Sequence, residues 1–375
     1  MRQQEVVWTP ENSLVKIAPI SVEDFGSKES LLESIDQSLR YLDKLDPEKT
    51  YQFGEEQVGV PRVRATLIDF REKVVDLGLG SKLSDYLESN YDFFSSAAQD
   101  VLFTGYFEAS LFGARKPDKI FNYPLYQVPD DMLRIDLNQF FDTKQFAGIP
   151  TDLRARITDQ DKLFPYYSRQ EIDSNGALAG RDLELVWVDD PIAAFFLHIQ
   201  GSGIVYFEDG TSLRVNYADK NGQPYRALGN LFIKEQILPR EEISMRSLVS
   251  FLRENPDRVT EMLNYNPSYI FFRSVDEGPI GSIGVPLTPM RSIATDYRIF
   301  PRGALAFIRT RLPDYNGGKE IESWQDFSAF VLNQDTGGAI RGANRVDLFT
   351  GHGDESEDLA GPLKESGQLI FLLKR

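Results

Sequence analysis

The 375-residue sequence has no cysteine and only two histidines, His198 and His352. The first absence excludes disulfides, thiolate nucleophiles, Fe–S clusters and Cys-bearing zinc sites. The second excludes a three-histidine metal centre, so neither a metal nor another cofactor is expected. No run approaches the ~18 apolar residues that span a bilayer. The longest apolar clusters are Ile192–Ile199, broken by His198, and Leu369–Leu373. Met1–Ile17 is polar and lacks the apolar centre of a signal peptide, so the expectation is a cytoplasmic protein or one whose export signal lies outside this sequence. Positive charge is also scarce, with 41 Lys+Arg against 57 Asp+Glu and a net charge of −16. That opposes non-specific nucleic-acid binding, which needs clustered cations to displace counterions. Walker loops, HExxH, nucleophile elbows and dinucleotide fingerprints are missing too. The chemistry left to this chain is that of carboxylates and hydroxyls.

The composition that is present, 41% hydrophobic and 26% charged, is that of a globular chain, and its length suggests two or three domains. Residues 27–96 read as helical. Leu31, Leu32, Ile35, Leu39 and Leu42 repeat at helical spacing behind Ser27 as N-cap. Val63, Leu67, Phe70 and Val74 follow Pro61, and Leu83, Leu87, Tyr91 and Phe94 make a third stripe. From Leu102 onward short β-rich runs alternate with Gly, Pro and Asp, at Leu102–Phe107, Ile204–Phe207, Ser212–Tyr217, Tyr269–Phe272, Leu305–Thr310 and Gln368–Leu373. Such texture predicts a barrel or sandwich, not a parallel α/β sheet. Helices are expected at Ser244–Asn255 and at Asp354–Glu365. The stretch Phe112–Leu197 carries denser turn punctuation and reads as an inserted domain.

The C-terminal third concentrates carboxylates among glycines. Asp335 precedes Gly337 and Gly338, and Asp347 lies inside the apolar run Val346-Asp347-Leu348, ahead of Gly351 and Gly353. A carboxylate within such a run is costly unless paired or protonated. Burial raises a carboxyl pKa, which suits a general acid. Asp296, in Ala294-Thr295-Asp296-Tyr297, is a third candidate. For any one of them a turn or N-cap reading competes with a catalytic one. Thr104-Gly105-Tyr106 and Gln200-Gly201-Ser202-Gly203 each combine polar groups with bare backbone, which fits a sugar site and equally fits hairpin punctuation. His198, in the apolar run Phe195–Ile199, reads as a core residue, and His352 as a loop residue.

At these residues the sequence resembles the membrane-bound lytic murein transglycosylase A family, whose catalytic barrel ends in a three-aspartate domain. The matching segments are FTGYFEASLFGAR (103–115), YPLYQVP (123–129), SRQEIDSNGAL (168–178), IQGSGIVYFEDG (199–210) and NGQPYRALG (221–229). They continue with NPSYIFFR (266–273), GVPLTPMRSIATDYRIFPRGA (284–304) and QDTGGAIRGANRVDLFTGHG (334–353). The first hundred residues match only in helical character.

The resemblance implies a mainly β protein with N-terminal helices. A double-psi β-barrel catalytic domain, 1–110 and 199–375, would carry a smaller inserted β-domain, 111–198, with a glycan groove between them. It implies cleavage of the β-1,4 bond between N-acetylmuramic acid and N-acetylglucosamine in peptidoglycan, with closure of a 1,6-anhydro ring and no water. Asp347 matches the family's acid/base, Asp335 a catalytic companion, and Asp296 a companion in the substrate site. Thr104, Gly105, Tyr106, Gln200, Gly201, Ser202 and Gly203 match groove residues. The implied setting is the periplasm or cell envelope, with peptidoglycan strands as partner, a monomer, and no membrane contact except through an anchor. Family members are commonly anchored through an acylated N-terminal cysteine, and this sequence has none. The charge of −16 opposes an anionic substrate, so Arg341, Arg345 or Lys220 would have to offset it. A hydrolase on a similar barrel and a non-catalytic glycan-binding barrel are the alternatives.

Overall fold

Local signals set the helix starts. The Ser27 hydroxyl accepts from the Ser30 amide at 3.1 Å, and Glu29 sits in the first turn, where the helix dipole favours negative charge. Pro61 occupies the first turn of the second helix, where its missing N–H costs nothing. Asp190 caps the Ile192 amide at 2.7 Å, Pro191 follows, and Gly201 ends that helix in the left-handed region at φ 86°. Ser244 and Ser247 form a reciprocal capping box.

The computed structural model describes residues 7–98, 100–140, 151–315 and 320–375. In chain order it contains β1 (Leu14–Ile17), α1 (Lys28–Leu42), β2 (Thr50–Phe53), β3 (Glu56–Gly59), α2 (Val60–Leu77), α3 (Ser81–Asn90), β4 (Tyr91–Ser96) and β5 (Val101–Ala114). Then follow β6 (Tyr123–Tyr126), β7 (Leu133–Asp136), β8 (Asp152–Ile157), β9 (Leu163–Pro165), β10 (Glu184–Val188), α4 (Pro191–Gln200), β11 (Ser202–Tyr206), β12 (Ser212–Lys220), α5 (Leu228–Lys234), α6 (Met245–Glu254), α7 (Val259–Asn264) and β13 (Ile270–Ser274). The chain closes with β14 (Ser292–Ala294), β15 (Leu305–Asp314), β16 (Ser323–Asp335), β17 (Arg345–His352), α8 (Asp354–Ala360) and β18 (Lys364–Lys374). The protein is mainly β. Among the described residues no helix is long and apolar enough to cross a membrane.

The chain divides into two compact units, 1–107 with 277–375, and 108–276. In the first, strands run in the order β1-β4-β18-β15-β16-β14-β17, and β5 borders both β17 and β18. Six of these strands therefore close into a ring that mixes parallel (β14–β16) and antiparallel pairs. Helices α1–α3 lay their apolar stripes on this sheet: Leu31, Ile35, Leu67, Phe70, Leu83 and Leu87 are buried in the same core as Phe307, Phe330 and Phe371. An ion pair clips the N-terminal segment to the sheet. Arg291 donates to Asp24 at 2.6 and 2.9 Å, to the Phe330 carbonyl at 2.8 Å, to the Ser27 carbonyl at 2.7 Å and to Ser30 Oγ at 3.1 Å. All five guanidinium N–H groups are used, with both side chains buried.

The second unit builds its sheet on the far half of β5, which pairs parallel with β11 and antiparallel with β10, and continues through β12 to β13. β7-β8-β9 form a small separate sheet, and α4–α7 share an apolar core. The insert was expected at 111–198. This unit extends to Asp276 because β11, β12 and β13 hydrogen-bond outward from β5, and α5–α7 pack on α4. Two helical expectations also stop short. The third N-terminal stripe ends at Asn90, since Tyr91–Ser96 is drawn into the sheet between β1 and β18. The C-terminal helix ends at Ala360, because Lys364–Gly367 pair with β5. The apolar run Ile192–Ile199 is helix α4, inside a region read as β.

Candidate active site

Strand β14 is only three residues long, and its register organises the site. Ala294 pairs with Asp335 of β16 on one side and with Asp347 of β17 on the other. The Cα atoms of the two aspartates thus flank Ala294 about 10 Å apart, two strand spacings, with the register against β16 shifting just before Ala294. Asp296 follows just past the end of β14.

Strand β5 presents Thr104 and Tyr106, two residues apart and hence on one face, to these two acids. The Thr104 hydroxyl donates to Asp347 Oδ1. Arg345, on the same face of β17, donates from Nε to Asp347 Oδ1 at 3.0 Å and from Nη2 to Oδ2 at 3.2 Å. The Asp347 side chain keeps 15% of its surface accessible, so a ligand can reach it. The Tyr106 hydroxyl donates to Asp335 Oδ2 at 2.9 Å, and the Ser282 amide donates to Oδ1 at 2.8 Å. Burial pushes the Asp335 carboxyl above its usual range, against the lowering effect of these donors and of the Thr336 amide. Burial also pushes the Tyr106 phenol well up, reinforced by the negative charges of Asp335 and Asp347. Tyr106 is therefore a hydrogen-bond donor at any working pH.

Gly105 lies between these two donors where a side chain cannot: an added Cβ would stand 2.5 Å from Ala360 Cα in α8. The Thr350 hydroxyl holds the same strand, lying 3.1 Å from the Tyr106 carbonyl and 2.9 Å from the Ser356 carbonyl.

Asp296, expected in the substrate site, is fully buried with both oxygens engaged. Arg298 donates to it at 2.8 and 2.6 Å, and the Gly342 amide at 2.9 Å. Burial would raise its carboxyl, but these donors outweigh burial and hold it below the usual range. Its visible work is bracing the turn 337–342 that links β16 to β17, and Trp8 packs against Gly342 on that turn.

In the second unit, Gly201 caps α4, and an added Cβ at Gly203 would stand 2.5 Å from Leu197 Cδ1. Ser202 is buried, and the Gln200 amide lies 3.7 Å from Met245 Sδ. His198 is buried in this unit's core. Among the described residues no three His, Asp or Glu side chains gather as a metal site.

Sequence reasoning missed Arg298 and the Ser282 amide, and named Arg345 only as a cation. The i, i+2 spacing of Arg345 and Asp347 on one strand is the signal that finds their contact. A backbone amide from a distant loop leaves none.

Known proteins carry the same architecture. Residues 102–273 match the MltA specific insert domain and residues 291–373 the 3D domain. A membrane-bound lytic murein transglycosylase A from Vibrio cholerae is 31% identical over 310 residues, covering 81% of this chain and 70% of that protein. The crystal structure of a membrane-bound lytic murein transglycosylase from Agrobacterium tumefaciens superposes with TM-score 0.79 at 27% identity, covering 97% of this chain and 98% of that one. Escherichia coli MltA, solved with chitohexaose, shares the fold at TM-score 0.73 and 22% identity, covering 99% of this chain and 97% of that one. With Asp335 and Asp347 on strands of a 3D domain and its second unit matching the insert, this chain belongs to the membrane-bound lytic murein transglycosylase A family.

Proposed function

We propose that the chain is a peptidoglycan lytic transglycosylase that cleaves the β-1,4 bond between N-acetylmuramic acid and N-acetylglucosamine. Asp347 serves as its one acid/base. The observation that carries this reading is the Asp347 carboxyl, partly open, gripped by Thr104 and Arg345, and level with Asp335 across β14. In its acid form Asp347 protonates the departing glycosidic oxygen. As a carboxylate it then takes the proton of the muramyl C6 hydroxyl, whose oxygen attacks C1. One proton is given and one recovered, so a second carboxylate for activating water is not required. The nucleophile belongs to the sugar being cleaved, which supplies its proximity.

Asp335, fixed by Tyr106 and Ser282, orients the face on which Asp347 works. Thr104, Gly105 and Tyr106 meet the glycan beside it, and Gln200, Gly201, Ser202 and Gly203 are the substrate residues of the second unit. The ring of six strands with mixed pairing supports a double-psi β-barrel for the first unit. Such a substrate belongs in the periplasm or cell envelope.

Digestion of purified sacculi followed by product mass tests the reading. Products lighter than reducing muropeptides by one water support ring closure, and products with a reducing end mean a hydrolase. Asp347→Asn, still folded by circular dichroism, should release almost nothing. Substantial residual turnover overturns the role of Asp347.

A further inference from the structure

The sheet β5-β11-β12 of the second unit has one apolar and one polar face. Ala109, Gly203 and Val215 lie in one row, and the flanking Leu111 and Val205 join the same apolar core. Ser110, Ile204 and Arg214 form the next row and point the other way. Glu108, two residues before Ser110, shares that polar face.

Glu108 is completely buried, and Arg214 Nε lies 2.9 Å from its Oε1. The N–H does not point along that line, so neither Glu108 oxygen nor Arg214 Nε makes a hydrogen bond. Burial pushes the Glu108 carboxyl up while the guanidinium beside it pulls the other way. A buried carboxylate whose ion-pair partner makes no well-directed hydrogen bond to it is an expensive arrangement. The Arg214 side chain is 25% exposed and lines a cavity of ≈ 430 Å³, together with Tyr206, Ser212, Ser274 and Asp276. With Nε turned toward Glu108, the outer nitrogens of the guanidinium are what remains to reach that space.

We propose that this cavity binds a carboxylate of the peptide that peptidoglycan carries, with Arg214 as the donor. The proposal rests on the glycan-cleaving function above and names a second feature of the same substrate. A guanidinium fork matches a carboxylate in two parallel hydrogen bonds. The sugar N-acetylglucosamine offers no such charge, and the lactyl carboxyl of N-acetylmuramic acid is an amide wherever a peptide is attached, so Arg214 loss must weaken binding of the peptide-bearing strand more than of the peptide-free one. Tyr206 supplies an apolar wall, and Asp276 suits the ammonium groups that a peptide also bears. In a chain of net charge −16 an anion is held only where a cation is fixed locally, and Glu108 fixes this one. Every wall residue belongs to the second unit.

The test compares peptide-bearing with peptide-free glycan strands as soluble substrates. Arg214→Gln should lower the ratio of their kcat/KM values at least tenfold, through KM for the peptide-bearing strand, and Arg214→Lys should lower it part of the way. An unchanged ratio in a folded Arg214→Gln protein overturns the proposal. If the uncompensated Glu108 prevents folding, Glu108→Gln/Arg214→Gln removes both charges and should show the same loss. If the wild type cleaves neither substrate, the enzymatic reading has failed. Titration calorimetry with a soluble stem peptide then decides the site alone: binding by the wild type and none by Arg214→Gln supports it, and equal heats overturn it.

Discussion

Both units bury hydrogen-bonded polar networks, Arg154 with Asp219 among them in the second, but they differ in how many buried polar atoms are left over. In the first, Arg291 has a partner for each of its five N–H groups, and Asp296 is held by Arg298 and the Gly342 amide. Of the six buried side-chain atoms that make no hydrogen bond among the described residues, Thr310 Oγ1 alone belongs to this unit. The other five, on Glu108, Arg156, His198 and Arg214, belong to the second. Saturated polar groups fix a single geometry, whereas unsatisfied ones carry a cost that water, a ligand or a shifted conformer can relieve. The contrast teaches where each task sits: stiff positioning of carboxylates in the first unit, adjustable contact in the second.

Three measurements sharpen or break that contrast. The largest effect is expected at the Arg291 clip. Asp24→Ala leaves a buried guanidinium uncompensated and should cost about 3–5 kcal/mol in urea unfolding; a loss below 1 kcal/mol would mean that saturation is not what stiffens this unit. Next comes the bond between Thr104 and Asp347. Thr104→Val keeps the shape but removes a hydrogen bond to a charged group, a loss of about 1.5–3 kcal/mol, read as a roughly 10- to 150-fold drop in kcat on sacculi with an unchanged melting point. A wild-type rate would detach Thr104 from catalysis.

The smallest effect concerns His198. Arg169 Nη2 lies 3.0 Å from Nδ1, so Nδ1 accepts, and the ring proton sits on the partnerless Nε2. Burial, and then the charge of Arg169, drive its pKa well below 6.5. The unfolded chain therefore takes up a proton below about pH 6.5 that the folded chain refuses. Stability is full above that pH and declines as pH falls, by up to about 1.4 kcal/mol per unit for one proton. His198→Gln retains an acceptor for Arg169 and should remove that share of the decline. Parallel stability curves for the two proteins would show that this buried imidazole is not the group responsible.

The sequence makes some of this legible and hides the rest for identifiable reasons. Caps at Ser27 and Ser244 act over three residues, so their helices can be read locally, whereas the same signal at Asp190 is hidden by the β-rich texture around α4. Tyr91–Ser96 continues the stripe of α3 in period, and only its pairing with β1 and β18 makes it a strand. That information lies far off in the chain on both sides, in β1 near its start and β18 near its end. The three aspartates are conspicuous among glycines, but nothing local tells Asp296, locked beneath Arg298, from Asp347, open to a ligand. Arg298 two residues beyond Asp296 and Arg345 two residues before Asp347 look alike in the sequence. Burial alone separates a brace from a working acid.

The register at Ala294 has a consequence for anyone who would redesign this centre. Because both acids are neighbours of one small residue, the spacing of their Cα atoms is inherited from the pitch of the sheet. Sliding either flanking strand by a single position would turn its carboxylate to the opposite side. The backbone separation of the acids thus changes only in steps of register, and finer adjustment is left to their side chains.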